Sequence, residues 1–358
     1  MKALRCFLLG LAVLALAGCN LSLPGVSPGT ATPAIASTSA HPSTTAAPTP
    51  VPSATGSLAA GLSLLVEPGA GYSAIDTAIS RAHTSIDLVM YELSDSNIEA
   101  LLVAAQGRGV QVRVILDQAY AKSQNQAAYS YLSTHGVAVH WSSSQVDITH
   151  QKTLVTDSSE AWIMTGNLTP QYYSGTRDFI VTDTQAPDVA AIQATFSADW
   201  ANSAITPATG SDLLWSPGSE GALVTLIASA KSQIVVENEE MDESYIQTAL
   251  EDAAHRGVDV EVCMTNSSSW SSAFSQLSAA GVHVRTYADS ASILYIHAKA
   301  ILTDPGKPGA QLFVGSENLS VTSLLKNREL GVITHSAALI AAITPVLEGD
   351  FNGGTPTS

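Results

Sequence analysis

Apolar positions in the body of the chain alternate between helix spacing and strand spacing. One helix face is marked, at steps of three or four residues, by Ile75, Ala78, Ile79 and Ala82. A strand is predicted over 86–91, a second helix over 96–106 and a second strand over 110–116, after a Gly-Arg-Gly stop. Helices that alternate with strands predict an α/β fold whose sheet is covered on both faces.

The body of the chain is a duplication. Four short segments recur further along the sequence at an offset that stays between about 145 and 151 residues. The paired segments are 64–69 with 213–218, 85–89 with 233–236, 108–112 with 256–260, and 135–137 with 280–282. Chance similarity would not keep the offset so constant, and we therefore predict two related halves, residues 62–207 and 208–358.

Residues 1–19 have the pattern of a secretory leader. Lys2 and Arg5 precede a short apolar run, which ends in Leu-Ala-Gly-Cys with Cys19 as the last residue. This ending resembles a bacterial lipobox, which implies cleavage before Cys19 and attachment of a lipid to its thiol. An ordinary leader with a chance cysteine is the alternative. We expect an exported protein that a lipid anchors to a membrane of the cell envelope, facing either the periplasm or the medium.

Composition separates a tether from a globular body. Residues 20–61 are rich in Pro, Ser, Thr and Ala and contain no Asp, Glu, Lys or Arg, which predicts a disordered tether. The chain is 46% hydrophobic, with a formal net charge of −16 at pH 7. We expect a globular monomer that repels polyanions at long range, and this charge disfavours nucleic acid as a partner.

Each half contains one His-x-Lys-x4-Asp motif. The first comprises His150, Lys152 and Asp157, and the second comprises His297, Lys299 and Asp304. On a strand, the histidine and the lysine of a motif share one face. An ammonium group can neutralise phosphate oxygens, while an imidazole can attack phosphorus or protonate a leaving oxygen. The two aspartates, beyond a pair of apolar residues, are expected to lie behind the site in a structural role.

The residues after each motif also match between the halves. Thr165, Asn167 and Asp178 in the first half correspond to Ser316, Asn318 and Glu329 in the second. An asparagine at a strand end can donate to a phosphate oxygen, and a carboxylate can hold an imidazole in one tautomer. Asparagine caps and turns are common, so the structural interpretation of these residues stays open beside the phosphate-binding one.

The motifs, the Ser/Thr-x-Asn segments and the duplication together resemble the phospholipase D superfamily. The resemblance covers about residues 62–352 and implies two mixed sheets flanked by helices, packed about a pseudo-twofold axis with one site at the interface. It further implies a reaction without metal or cofactor, in two steps through a phosphohistidine. By analogy His150 is the nucleophile and His297 the acid and base, although the near symmetry leaves the reverse open. Family members often have Gly-Ser before the asparagine segment; here Met164-Thr165 departs from it.

The resemblance implies a phospholipid substrate, with several functions possible. The first is a phospholipase D that releases phosphatidic acid and a head-group alcohol. The second is a phosphatidyl transferase similar to cardiolipin synthases, and the third is an exported nuclease. A binding module without activity is the fourth, and two intact motifs argue against it.

Three further features were weighed. The acidic segment 237–243 follows a predicted strand, where a solvated helix start is favoured over a cation site. Predicted loops near the motifs contain Trp141, Trp270, Tyr172 and Tyr173, which either line a pocket or pack in the core. Cys263 lies in an apolar strand pattern, where a buried thiol is favoured over a nucleophile.

Overall fold

The computed structural model describes residues 61–290 and 293–357. The predicted leader, Cys19 and all but the last residue of the predicted tether lie outside these ranges. None of the helices within them combines the length and the apolar character needed to cross a bilayer.

The first half alternates strands with helices, as its hydrophobic spacing predicts. Its strands are β1 (Leu62–Glu67), β2 (Ser85–Met90), β3 (Gln111–Leu116), β4 (Ala138–Trp141), β5 (Thr153–Thr156), β6 (Glu160–Met164) and β7 (Thr176–Asp183). Its helices are α1 (Ser73–Arg81), α2 (Ser96–Gly107), α3 (Lys122–Thr134), the single turn α4 (Pro170–Tyr173) and α5 (Ala186–Trp200). The predicted boundaries of β2, α2 and β3 differ from these by one residue.

The second half repeats the pattern. Its strands are β8 (Leu213–Ser216), β9 (Gln233–Glu237), β10 (Asp259–Thr265), β11 (His283–Tyr287), β12 (Tyr295–Ile296), β13 (Ala300–Thr303), β14 (Gln311–Gly315), β15 (Glu329–Thr334) and β16 (Thr355–Pro356). Its α-helices are α6 (Glu220–Ser229), α7 (Ser244–His255), α8 (Ser271–Ala279), α9 (Val321–Leu325) and α10 (Ala337–Gly353), and a 3₁₀ turn spans Ser268–Trp270.

Local sequence explains where the equivalent helices α2 and α7 begin and end. Asp95 caps α2 by accepting hydrogen bonds from the backbone N–H groups of Asn97 and Ile98, and Glu243 caps α7 in the same way. After each helix the chain turns through a glycine with positive φ, Gly109 at 90° and Gly257 at 84°. The same signals at matching places give the two halves the same turn from helix into strand.

Each half forms a mixed sheet. The first has the order β1-β7-β6-β5-β2-β3-β4, and the second has the order β16-β11-β10-β9-β13-β14-β15-β8. β2, β3 and β4 are parallel to one another, as are β9, β10 and β11, while the strands that carry the motifs pair antiparallel with β2 and β9. This confirms the predicted α/β class with two duplicated halves.

Apolar side chains fill three layers. An outer core in each half packs one sheet against its helices, α1–α3 in the first half and α6–α8 in the second. A central core joins the halves and includes Phe179 and Val181 of β7, Leu302 of β13, and residues of α5 and α10. Because the centres of both sheets are buried on two faces, their central strands, such as β2, β9 and β13, consist mainly of apolar residues.

Backbone pairing also links the halves. The two-residue strand β12 leaves its own sheet and pairs parallel with β7 of the first half, placing Tyr295 opposite Thr176. In the reciprocal place Thr149 forms a bridge with Arg328. The segment before each motif histidine is therefore paired with the other half. The paired residues lie just before the matching carboxylate of that half, Asp178 or Glu329.

Candidate active site

The two motif histidines meet at the junction between the halves. The backbone N–H of His150 donates to the carbonyl of Arg328 at 3.0 Å, and that of His297 donates to the carbonyl of Arg177 at 3.3 Å. Both imidazoles line one cavity of about 660 Å³. The structure thus brings both histidines into a single site.

Each imidazole is held by a carboxylate of the opposite half. Nδ1 of His150 lies 2.9 Å from Oε2 of Glu329, and Nδ1 of His297 lies 2.8 Å from Oδ1 of Asp178. Both carboxylates are buried, at most 4% exposed, so their charge is poorly screened. A carboxylate at Nδ1 fixes the ring orientation and leaves Nε2 as the reactive nitrogen.

Burial shifts the protonation of the His150 pair. It lowers the pKa of His150, and the attraction of Glu329 only partly offsets this because Lys152 and Lys299 act in the same direction as burial. Burial acts to raise the pKa of Glu329, but the hydrogen bonds from His150 and Ser316 and the charge of Lys152 outweigh it, so this pKa lies below its ordinary value. Glu329 is therefore an ionised acceptor.

Matching hydroxyls position the two carboxylates. The Thr165 hydroxyl donates to Asp178 at 2.6 Å, and the Ser316 hydroxyl donates to Glu329 at 2.7 Å. Each hydroxyl oxygen also accepts the backbone N–H of the residue after its carboxylate, Phe179 or Leu330. Thr165 therefore makes the contacts of Ser316, although Met164 replaces the usual glycine before it.

The motif lysines are buried beside the histidines. The ammonium of Lys152 donates to the carbonyl of His150 at 2.6 Å and lies 5.1 Å from the centre of the Tyr91 ring. The ammonium of Lys299 donates to the carbonyl of His297 and, at 3.0 Å, to Oε2 of Glu239. Burial lowers the pKa of Lys152 to about 7, with Glu329 opposing the shift and Lys299 adding to it.

The motif aspartates lie away from the cavity and bind backbone. Asp157 accepts the N–H groups of His83, Thr84 and Ser85 at 2.6–3.2 Å, which fixes the chain where β2 begins. Asp304 makes the equivalent contacts at the start of β9, with the N–H groups of residues 231–233. Each motif thus divides into a neighbouring histidine and lysine and one carboxylate that binds backbone.

The two asparagines line the cavity in different ways. The side-chain oxygen of Asn167 accepts the N–H of Glu92 at 3.3 Å, which directs its amide away from that turn. The buried side-chain oxygen of Asn318 has no hydrogen-bond partner within the described ranges, while its backbone N–H donates to the Ser323 hydroxyl at 2.9 Å. Both amides are within the cavity wall, where they are available to a phosphate oxygen.

The cavity wall combines tyrosines with carboxylates. The tyrosines are Tyr72, Tyr91, Tyr172, Tyr173 and Tyr295, and the carboxylates beyond Asp178 are Glu92, Glu239, Glu240 and Asp289. Trp141 of β4 instead stacks on Tyr129 of α3, with ring centres 4.3 Å apart, and Trp270 packs against the core of the second half. Of the four aromatic residues expected near the motifs, Tyr172 and Tyr173 line the cavity, and Trp141 and Trp270 do not.

The expectation of a solvated helix start over residues 237–243 is wrong for most of the segment. Glu237 is buried within β9 and Glu243 caps α7, while Glu239 contacts the reactive groups of the second motif. The internal repeat contains the signal that could have identified Glu239 as a residue of the site. Tyr91 and Glu239 occupy matching places after β2 and β9, so each half contributes a side chain beside its motif lysine.

The described residues contain neither a group of metal ligands nor an exposed thiol. Within residues 61–290 and 293–357 no group of three histidine, cysteine or carboxylate side chains is arranged to hold a metal ion. Cys263 is fully buried in β10, and burial raises the pKa of its thiol. A neutral buried thiol is a packing group and a poor nucleophile.

Sequence and structure comparisons place the chain in a family. The family described as "Cardiolipin synthase, PLD-like domain" matches residues 75–200 and again 223–351, well over half of the chain. No curated protein matches the sequence significantly. Polyphosphate kinase from Porphyromonas gingivalis is similar in fold, with a TM-score of 0.61 at 18% identity, covering 80% of this chain and 50% of the kinase. This chain therefore spans half the length of that kinase.

A second solved structure is covered over most of its length. Phosphatidylserine synthase from Haemophilus influenzae has a TM-score of 0.64 at 12% identity, covering 83% of this chain and 87% of the synthase. At these identities the likeness concerns the fold. With the family matched in both halves and the motif histidines of both halves lining one cavity, the chain belongs to the phospholipase D superfamily.

Proposed function

We propose that this protein is a phosphodiesterase of the phospholipase D type, which hydrolyses glycerophospholipids to phosphatidic acid and a free head-group alcohol. The observation that carries the proposal is the pair of imidazoles in one cavity, each held at Nδ1 by a carboxylate of the opposite half. Two Nε2 atoms directed to one site suit the two ends of a displacement at phosphorus.

The proposed reaction has two steps. Nε2 of His150 attacks phosphorus, the bond to the head-group oxygen breaks, and His297 gives its Nε2 proton to that oxygen. His297 then takes a proton from water as the water oxygen attacks phosphorus, and the phosphorus–nitrogen bond breaks to release phosphatidic acid. Lys152 and Lys299 stabilise the negative charge on the nonbridging oxygens, which is the service a divalent cation would otherwise provide.

The walls of the site favour a lipid over a nucleic acid. Glu92, Glu239, Glu240 and Asp289 give the cavity an acidic wall, and the whole chain has a formal charge of −16. Both features repel a polyanion, which brings further phosphates along with the reacting one. A single phosphodiester with an uncharged or cationic head group meets less repulsion, and the tyrosines offer it apolar and cation–π contacts.

Phosphatidyl transfer is the second candidate. The matched family is described by cardiolipin synthase, and one similar fold belongs to a phosphatidylserine synthase. In a transferase an alcohol replaces water in the second step, and the residues that act are the same. The acceptor is therefore a matter of competition between water and alcohol at one phosphohistidine.

Product analysis tests both candidates. The purified protein, with EDTA present, is incubated with vesicles of phosphatidylcholine and phosphatidylethanolamine, with and without glycerol, and separately with DNA. We expect phosphatidic acid from the vesicles, a new phosphatidyl-alcohol with glycerol if transfer competes, and no product from the His150→Ala variant. Cleavage of DNA with no change in any lipid would contradict the proposal.

The location of the protein is proposed from sequence alone. Leader and lipobox support an exported, lipid-anchored protein, in which the tether of residues 20–61 holds a monomeric body near its phospholipid substrate. Metabolic labelling with a fatty acid should mark the full chain and not the Cys19→Ser variant. Label in both proteins would remove the anchor from the proposal.

A further inference from the structure

The two halves differ at one place beside the motifs. They share histidine, lysine, hydroxyl and orienting carboxylate, but Tyr91, directly after β2, is matched by Glu239, the second residue after β9. The equivalence is set by the backbone, because Leu93 bridges to Leu168 as Met241 bridges to Leu319, two residues further along. A neutral phenol ring and a carboxylate therefore hold matching positions.

Glu239 contacts both reactive groups of the second motif. Its Oε2 lies 3.0 Å from the ammonium of Lys299 and 3.4 Å from Nε2 of His297, and its Oε1 accepts the Tyr295 hydroxyl at 3.1 Å. Burial acts to raise the pKa of Glu239, but the charges of His297 and Lys299 outweigh it and hold this pKa well below its ordinary value. The side chain is an ionised carboxylate in the cavity wall.

The contacts of Glu239 make the two histidines chemically different. Both nitrogens of His297 face carboxylates: Asp178 lies 2.8 Å from Nδ1 in a hydrogen bond, and Glu239 lies 3.4 Å from Nε2, an ion-pair distance at which a negative charge attracts a proton on that nitrogen. His150 has one carboxylate, Glu329 at Nδ1; within residues 61–290 and 293–357 none forms an ion pair with its Nε2. Its Nε2 can therefore keep the lone pair that attack on phosphorus requires.

Carboxylates outnumber basic groups around His297. The charged or titratable groups that face it are Asp178 of β7, Glu239 after β9, Glu92 after β2, His150 of the other motif, and Tyr295 and Lys299 of its own segment. Three carboxylates therefore face this ring, together with one ammonium and the imidazole of His150.

We propose that Glu239 is a positioning residue that holds His297 in its proton-donating form and so assigns the acid role to His297 and the nucleophile role to His150. The inference rests on the proposed function. In the first step the proton on Nε2 of His297 passes to the departing head-group oxygen, while Glu239 itself neither gains nor loses a proton. In the second step the neutral His297 recovers a proton from water.

The test is the Glu239→Gln variant of the whole protein, which keeps the shape and removes the charge. The ratio kcat/KM is measured against pH with two phosphodiesters, one with an alkyl alcohol as leaving group and one with p-nitrophenol, which leaves without a proton. We expect the alkaline limb for the alkyl substrate to move down by about one pH unit and its rate at pH 8 to fall at least about tenfold. The p-nitrophenyl rate should fall less than about threefold.

Controls separate positioning from a general structural role. Glu239→Asp should recover part of the alkyl rate, and Asp252→Asn, which removes an exposed carboxylate of α7 outside the cavity, should leave the ratio of the two substrates unchanged. As a second measurement, phosphorus trapped during turnover should be on His150 in the native protein and on both histidines in Glu239→Gln. Equal losses on both substrates, with the alkaline limb unmoved and label on His150 alone, would overturn the inference. Absence of turnover by the native protein would instead overturn the proposed function.

Discussion

At the scale of single residues, each motif aspartate serves the backbone and not the substrate. Asp157 accepts three backbone N–H groups and the Thr84 hydroxyl, and its own φ is 51°. Burial acts to raise the pKa of Asp157, but these hydrogen bonds outweigh it and lower the pKa below its ordinary value. The charge of Asp157 therefore stabilises the folded state.

We predict that Asp157→Asn lowers the free energy of unfolding by about 1–3 kcal/mol at pH 7 and leaves kcat/KM of the folded protein within about threefold of the native value. Because the folded pKa is depressed, the stabilising effect is present above the ordinary pKa of 3.8 and disappears as pH falls through the folded value. Urea unfolding at pH 7 and pH 3 measures this. Lys152→Met is the contrasting variant, and its activity should fall at least about a hundredfold. If Asp157→Asn lost as much activity as Lys152→Met, the aspartate would take part in catalysis and the prediction would be wrong.

Glu317 shows the opposite behaviour of a buried carboxyl. It lies beneath the site, fully buried between Gly315 and Gly331, where burial and the negative charge of Glu329 raise its pKa well above 4.5. A raised pKa means that the folded state keeps a proton which the unfolded chain releases near pH 4.5. The contribution of Glu317 to stability is therefore complete below that pH and is lost as pH rises through the folded pKa.

Glu317→Gln should remove this loss, since a glutamine imitates the protonated acid. We expect the variant to be more stable than the native protein at pH 8, by about 1–3 kcal/mol, and the difference to shrink toward pH 4.5. Unfolding in urea across this range gives the comparison. Glu348→Gln, on the exposed side of α10, should change little at any pH. A Glu317→Gln variant that is less stable at pH 8 would mean that the carboxyl is ionised in the fold.

At the scale of elements, two reciprocal ion pairs clamp the halves together. Arg328, next to Glu329, pairs with Asp199 of α5 through two hydrogen bonds of 2.9 and 3.0 Å. Arg177, next to Asp178, pairs in the same way with Asp350 of α10. Each pair joins the start of a carboxylate strand to the end of a helix of the other half. The clamps therefore set the distance between each carboxylate and the histidine it holds.

We predict a strong coupling between Arg328 and Asp199, because both are at least 94% buried. Arg328→Met alone should cost about 3–5 kcal/mol by leaving Asp199 charged and unpaired, and Asp199→Leu should cost a similar amount. The double variant should be more stable than either single one, since it leaves no uncompensated charge. Urea unfolding of the four proteins completes the cycle; additive losses would show that the pair is not coupled.

Local elements were predictable from the sequence, and contacts between the halves were not. The 3.6-residue spacing, the Gly-Arg-Gly stop and the alternation in 110–116 each gave an element within one residue of its observed bounds. The exchange of β12 onto β7 has no local signal, because it depends on two sheets meeting. The match between Asp178 and Glu329 was visible in the sequence. The sequence did not indicate that each carboxylate binds the histidine of the other half.

At the scale of the whole molecule, catalysis should depend on both halves at once. Each half supplies a histidine and a lysine to its own motif and a carboxylate to the other motif, so neither half alone contains a complete set. The central core and the two clamps hold these groups together in one compact unit. Duplication has thus produced one centre with two unequal histidines, and not two centres.

A single centre predicts that the losses of activity are not additive. His150→Ala and His297→Ala should each remove nearly all turnover of a lipid substrate, and the double variant should be little worse, because the residues act as one unit. Two independent sites would leave about half of the activity in each single variant.

The variants should still differ with p-nitrophenyl esters: His297→Ala should form the phosphohistidine at position 150, since p-nitrophenolate leaves without a proton, whereas His150→Ala should form none. Quenched-flow trapping and mass spectrometry of the labelled peptide measure this directly. Phosphorus on His297 in the native protein would reverse the two roles, and half activity in both single variants would refute the shared centre.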